Sequence, residues 1–138
     1  MTINEAQDEI IEEFEAFDDW LSRYQLLCDY GKDLKPLPES DKTEQNLIDG
    51  CQSNVWFTCR MEDGKLIFRG ESDALLVKGI VALLIYVLSG HTPEEIIQAQ
   101  LYFIDRIGLQ EHLSPTRSNG LVAMLKQLRL YALAYQAK

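Results

Sequence analysis

The chain is 138 residues long, 46% hydrophobic and carries a formal net charge of -9, which suits one folded domain over residues 1–138 and excludes a disordered polymer. The charge is lopsided: residues 1–49 hold 14 acidic and 4 basic side chains, a net of -10, while residues 50–138 hold 8 and 9, a net of +1. With no basic patch to displace counterions, nucleic acid is excluded as a partner, and the acidic half reads as a solvated face.

The three cysteines, Cys28, Cys51 and Cys59, are odd in number and form no close pair, which argues against a disulfide framework and for a reducing compartment. The start, Met-Thr-Ile-Asn-Glu, lacks a basic region followed by an apolar stretch, so no signal peptide is expected and the protein is placed in the cytoplasm.

Thr2 and Glu5 form a capping box for a first helix. Ile10, Phe14, Phe17, Leu21, Tyr24 and Cys28 then recur at helical spacing, which predicts one continuous apolar stripe with Cys28 in the core. Asp18-Asp19 is a second cap, so the element is either one long helix to Tyr30 or two in tandem, with Gly31 as its stop. Residues 32–43, with Pro36 and Pro38, are a polar connector.

Gly50, Gln52 and Ser53 surround Cys51 with turn-forming residues, between apolar Leu47-Ile48 and Val55-Trp56-Phe57, which places this thiol at the tip of a short loop. A weakly signalled strand near Gln45–Ile48 precedes it. The alternation from Val55 to Met61 predicts a strand with Cys59 on its core face. Asp63-Gly64 predicts a hairpin turn in which Glu62 faces Lys65, Met61 faces Leu66, Cys59 faces Phe68 and Thr58 faces Arg69.

Ser72 or Asp73 caps a helix over 74–88 that is apolar almost all round. At about 15 residues, with Lys78 inside, it is shorter than the roughly 20 residues that span a bilayer and reads as a buried central helix. Gly90 ends it, and Thr92-Pro93-Glu94-Glu95 starts one broken helix or two short ones. Ser114-Pro115 opens the last helix, with Leu121, Leu125, Leu128, Ala132 and Tyr135 on one side. The fold class is therefore α+β: a small antiparallel sheet of two to three strands with helices packed on one side.

Only Cys51 stands on a loop and no ligand pair such as C-x-x-C exists, so no bound metal is expected. A cysteine hydrolase would need a base beside Cys51. His91 lies in a turn between helices, which leaves His112 as the candidate for that rival reading.

The run Gly50-Cys-Gln-Ser-Asn-Val-Trp56 resembles the signature of the SufE family of sulfur-acceptor proteins. The likeness extends to Trp20-x-x-Arg-Tyr24 and Gly31, to Ser72-Asp73-Ala74 and Val77-Lys78-Gly79, and to His112-Leu-Ser-Pro-Thr-Arg117 and Gly120-Leu-x-Ala-Met124. Asn54 stands where family members often carry glutamine. The resemblance implies a fold shared in outline with iron-sulfur assembly scaffolds, which present several cysteines where this chain presents one. It further implies that Cys51 accepts persulfide sulfur from a cysteine desulfurase, stimulates that enzyme and passes sulfur to a scaffold. The pyridoxal phosphate would belong to the desulfurase, and this chain would be a carrier and activator with no cofactor of its own. Gly50, Gln52, Ser53, Asp73 and Arg117 are then the loop and docking residues, with Lys78 as a further candidate. A non-catalytic adaptor that docks a desulfurase through the same loop is the remaining alternative.

Overall fold

The computed structural model describes residues 1–137. Helix α1 (Ile3–Glu15) opens on the expected capping box, in which Thr2 Oγ1 accepts from the Glu5 amide at 3.0 Å and the Glu5 carboxylate accepts from the Thr2 amide at 2.8 Å. Asp19 then accepts from the Ser22 amide at 2.8 Å and starts helix α2 (Trp20–Lys32), so the chain takes the tandem arrangement.

The cap resets the phase of the apolar stripe. Ile10, Phe14 and Cys28 are buried, but Phe17, Leu21 and Tyr24 are 40%, 78% and 37% exposed. Gly31 is no stop, because it lies inside the last turns of α2 and is buried. Its role is close approach to helix α3 (Leu75–Leu88): a Cβ on Gly31 would lie 2.8 Å from the Gly79 nitrogen, and one on Gly79 would lie 2.1 Å from the Leu27 carbonyl oxygen. Bare backbone at this crossing lets the two helices pack closer than side chains allow.

Strands β1 (Val55–Glu62) and β2 (Lys65–Ser72) form a two-stranded antiparallel sheet in the expected register, including Cys59 opposite Phe68 and Thr58 opposite Arg69. Asp63 and Gly64 have φ of 53° and 78°, the left-handed pair that a tight hairpin turn requires. The expected third strand is reduced to one bridge between Leu47 and Trp56, since the chain turns away at Asp49-Gly50. Met61, at the hairpin end, is exposed and Cys59 is half-buried, because no helix covers that end of the face.

Neither Ser72 nor Asp73 is the N-cap of α3; Ala74 holds that position without a side-chain bond, and Asp73 is used elsewhere. Helix α3 lies on the sheet, where a Cβ on Gly70 would meet Val81 at 2.9 Å. Gly90, with φ of 86°, turns the chain past its end. Helices α4 (Pro93–Gln98), α5 (Phe103–Arg106) and α6 (Leu109–His112) are short and lead to helix α7 (Pro115–Gln136), capped by Ser114. Hydroxyls of Tyr131 and Tyr135 donate to the Phe57 and Cys59 carbonyls, each at 3.2 Å, and fasten α7 to β1. Buried Gln7 joins α1 to the α5 region by donating to the Gln100 carbonyl at 3.1 Å and accepting from the Phe103 amide at 3.2 Å. The architecture is α+β, a two-stranded sheet with helices packed against it.

Candidate functional site

Cys51 occupies the tip of a loop whose stems are tied on both sides. On the incoming side the Ile48 amide donates to the Val55 carbonyl at 2.8 Å and the Phe57 amide to the Asn46 carbonyl at 3.0 Å. On the outgoing side Asp73 accepts from the Asn54 amide at 3.1 Å and from its side-chain amide at 3.0 Å. The Ser72 hydroxyl donates to the Asn54 carbonyl at 2.8 Å, and the Asp73 amide donates to that same oxygen at 3.3 Å. Between these anchors Gly50 takes φ of 91°, a left-handed conformation that turns the thiol inward.

The thiol points down onto α7, where its Sγ lies 3.6 Å from the Gly120 carbonyl oxygen and donates to it. A Cβ on Gly120 would stand 3.3 Å from that sulfur, so glycine is what allows the thiol to seat. Beneath it is a cavity of about 10 Å³, with room for one water at most. Val77 and Ile80 of α3 and Gly120 and Met124 of α7 line it, together with Arg117, Gln52 and Ser53. Burial pushes the Cys51 thiol above its ordinary pKa, so the seated group is a protonated thiol at neutral pH.

The other thiols have different surroundings. Cys28 is buried in α2 and is pushed up by burial, while half-buried Cys59 on β1 is pushed up to about 11 for the same reason.

The sequence-derived candidates separate accordingly. Gly50, Gln52, Ser53 and Arg117 gather at the Cys51 cavity or its loop. Gln52 and Ser53 make no side-chain hydrogen bonds among the described residues, so they do not stitch the loop together. Arg117 is exposed, and its guanidinium forms no hydrogen bond or ion pair with the described residues. Asp73 is the clamp on Asn54. Lys78 is half-buried, and its charge adds a little to holding the Glu71 carboxylate low.

His112 is not brought to Cys51. Its ring stacks on Trp20 with centroids 4.3 Å apart and planes 11° from parallel, and its Nδ1 lies 2.9 Å from the Gly108 carbonyl oxygen. His91 is 3.7 Å from Glu95. Neither histidine lines the cavity, and the cysteine-histidine pair of a hydrolase is not formed.

Sequence reasoning missed Asn54, Ser72 and Gly120 as site-builders, although each lay within a motif already singled out. It also missed a buried ion pair below the incoming stem. Glu71, 8% exposed, accepts from the Leu37 amide at 2.7 Å and pairs with Lys42 at 2.7 Å, whose ammonium lies 5.7 Å from the centre of the Trp56 ring. Burial opposes ionisation of Glu71, but Lys42 and the Leu37 amide outweigh it and hold the carboxyl below its ordinary pKa. Among the described residues no three His, Cys, Asp or Glu side chains are grouped to hold a metal ion, and no helix is long and apolar enough to cross a membrane.

A small α+β protein that offers one cysteine on a doubly anchored loop is thus the class that fold and site define. Residues 8–132 match the SufE family, described as an Fe-S metabolism associated domain, and the chain belongs to that family. An uncharacterized SufE-like protein of Synechocystis sp. is 45% identical over 127 residues, covering 92% of this chain and 80% of that protein. One from Rhizobium meliloti is 40% identical over 127 residues, covering 88% and 91%. The solution structure of a hypothetical protein from Thermus thermophilus superposes with a TM-score of 0.78 at 26% identity, covering 96% of this chain and 97% of that one.

Proposed function

We propose that Cys51 is a sulfur acceptor: it takes persulfide sulfur from a pyridoxal-phosphate cysteine desulfurase, stimulates that enzyme by relieving it of sulfur, and passes the sulfur to an iron-sulfur assembly scaffold. The observation that carries this reading is a single thiol at the tip of a loop fixed only at its two stems, seated against Gly120 without a base or ligand partner. Membership of a family associated with Fe-S metabolism supports it.

The chemistry needs little machinery. The donor carries a persulfide, Cys-S-SH. Cys51 loses its thiol proton, its sulfur attacks the outer sulfur of the donor, and the donor's S–S bond breaks as the new one forms. The donor cysteine leaves as a thiolate and takes up a proton. Sulfur moves with no net oxidation, so no external oxidant or bound cofactor is called for. Seated in its cavity the thiol is desolvated and protonated, hence inert; residues 50–53 must swing outward before it can react. Coupling thiolate formation to that movement confines reactivity to the docked state.

Intact mass measurement after mixing the chain with a cysteine desulfurase and cysteine tests this. The expected result is a gain of one sulfur atom on the parent, lost on reduction and absent from Cys51→Ser, because a hydroxyl is a poor nucleophile without a base. If Cys51→Ser stimulates cysteine desulfuration as well as the parent without added reductant, the thiol has no part in turnover, and the adaptor reading replaces this one.

A further inference from the structure

Trp20, Tyr24, Leu27, Cys28 and Gly31 share one face of α2, with Leu21 at its edge, and this stripe finds a partner along only half its length. Leu27, Cys28 and Gly31 are buried, Leu27 and Gly31 at the crossing with α3. Toward the N-terminus the same face overhangs: Trp20 is met by His112, but Leu21 and Tyr24, with Phe17 just before the helix, stand exposed. Exposed apolar residues scattered singly need no explanation, whereas a contiguous set that continues a packed stripe marks a surface made for another molecule.

Two observations identify the occupant. The uncovered stretch adjoins the Cys51 site: Trp20 stacks on His112, which sits two residues before the Ser114 cap of α7, and the first turn of that helix carries Arg117 into the Cys51 cavity. Its surroundings are also acidic, since it lies in the half of the chain with a net charge of -10 (14 acidic, 4 basic), and neighbouring Asp18 is exposed with no ion pair among the described residues. A complementary surface is therefore apolar at its centre and basic at its rim.

We propose that Phe17, Leu21 and Tyr24 form a docking surface for the protein that donates sulfur to Cys51, which meets it with an apolar patch rimmed by lysine or arginine. This rests on the sulfur-acceptor reading above. Burying Leu21 at the contact places a second anchor on the α2 side of the thiol, so that docking aligns the loop tip with the donor's persulfide.

Calorimetric titration of a purified pyridoxal-phosphate cysteine desulfurase into parent, Leu21→Asp and Asp18→Lys chains tests the assignment. Leu21 is exposed, so its substitution should leave the melting temperature near that of the parent. Expected are a loss of about tenfold or more in affinity for Leu21→Asp, by the scale of one buried leucine, and for Asp18→Lys a smaller loss with weaker salt dependence. Parent-like binding by both variants, while the parent still gains sulfur, overturns the docking surface and leaves the acceptor reading intact. A parent chain that neither binds the donor nor gains sulfur overturns both. Sedimentation showing that the free parent self-associates through Leu21 assigns the surface to a second copy and overturns the donor.

Discussion

Asp73 grips Asn54 with both carboxylate oxygens, one on the backbone amide at 3.1 Å and one on the side-chain amide at 3.0 Å. The residue that sequence suggested as a helix cap or a docking charge is therefore the outer clamp of the cysteine loop. Asn54 is the last fixed point before the chain becomes free to move toward Cys51.

Asp73→Ala should loosen the loop while leaving the fold in place. Two exposed hydrogen bonds are lost, at about 1 kcal/mol each or less, and the seated population of Cys51 falls accordingly. Native-state alkylation of Cys51 should speed up several-fold, with Cys28 unchanged because its burial lies in α2. An unchanged Cys51 rate would show that the clamp does not govern access.

Alkylation of Cys51 in the free parent should keep rising with pH beyond the range of an ordinary thiol, because burial holds its pKa up. Asp73→Ala should move that profile downward in pH, as the freed thiol regains solvation. Measuring rate against pH for both chains checks the sign: coincident profiles would mean that seating contributes nothing to the thiol's resistance to ionise.

Gly79→Ala should be strongly destabilising. Its Cβ would lie 2.1 Å from the Leu27 carbonyl oxygen, a backbone atom that cannot rotate aside, so α2 and α3 must separate. Overpacking of this kind costs roughly 1–3 kcal/mol or more. Thermal unfolding compared with Gly64→Ala, where a Cβ meets nothing and only the positive φ is penalised, should show the larger drop for Gly79→Ala.

Lys42→Met should be clearly less stable than the parent at neutral pH, because it leaves the Glu71 carboxylate buried without its counter-charge. The parent's linkage follows from Glu71 being held low: its contribution is present above the unfolded carboxyl pKa and disappears as pH falls through the lower folded value. Denaturant titrations across pH 3 to 7 (about the range where a carboxylate titrates) should show the gap between parent and variant narrowing toward acid. A gap that stays constant with pH would place the effect in packing alone.

Much of the local structure was legible because it is written in short-range chemistry. The Thr2-Glu5 and Thr92-Glu95 capping boxes, the Asp63-Gly64 turn and the register that follows from it depend only on residues within reach of one another. The loop position of Cys51 was legible for the same reason, since Gly50 at φ of 91° is a property of the turn itself. Tertiary contact decided the rest. Periodicity put Leu21 and Tyr24 on an apolar stripe but could not say that α3 covers only its far half. Gly31 reads as a helix stop until Gly79 is brought against it. His112 and Cys51 look like a possible pair along the chain, and only folding turns that histidine onto Trp20 while bringing Gly120, sixty-nine residues from the thiol, under its sulfur. Spacing constrains neighbours on one element; which elements meet is set by burial and shape across the whole chain, and that is where the site was made.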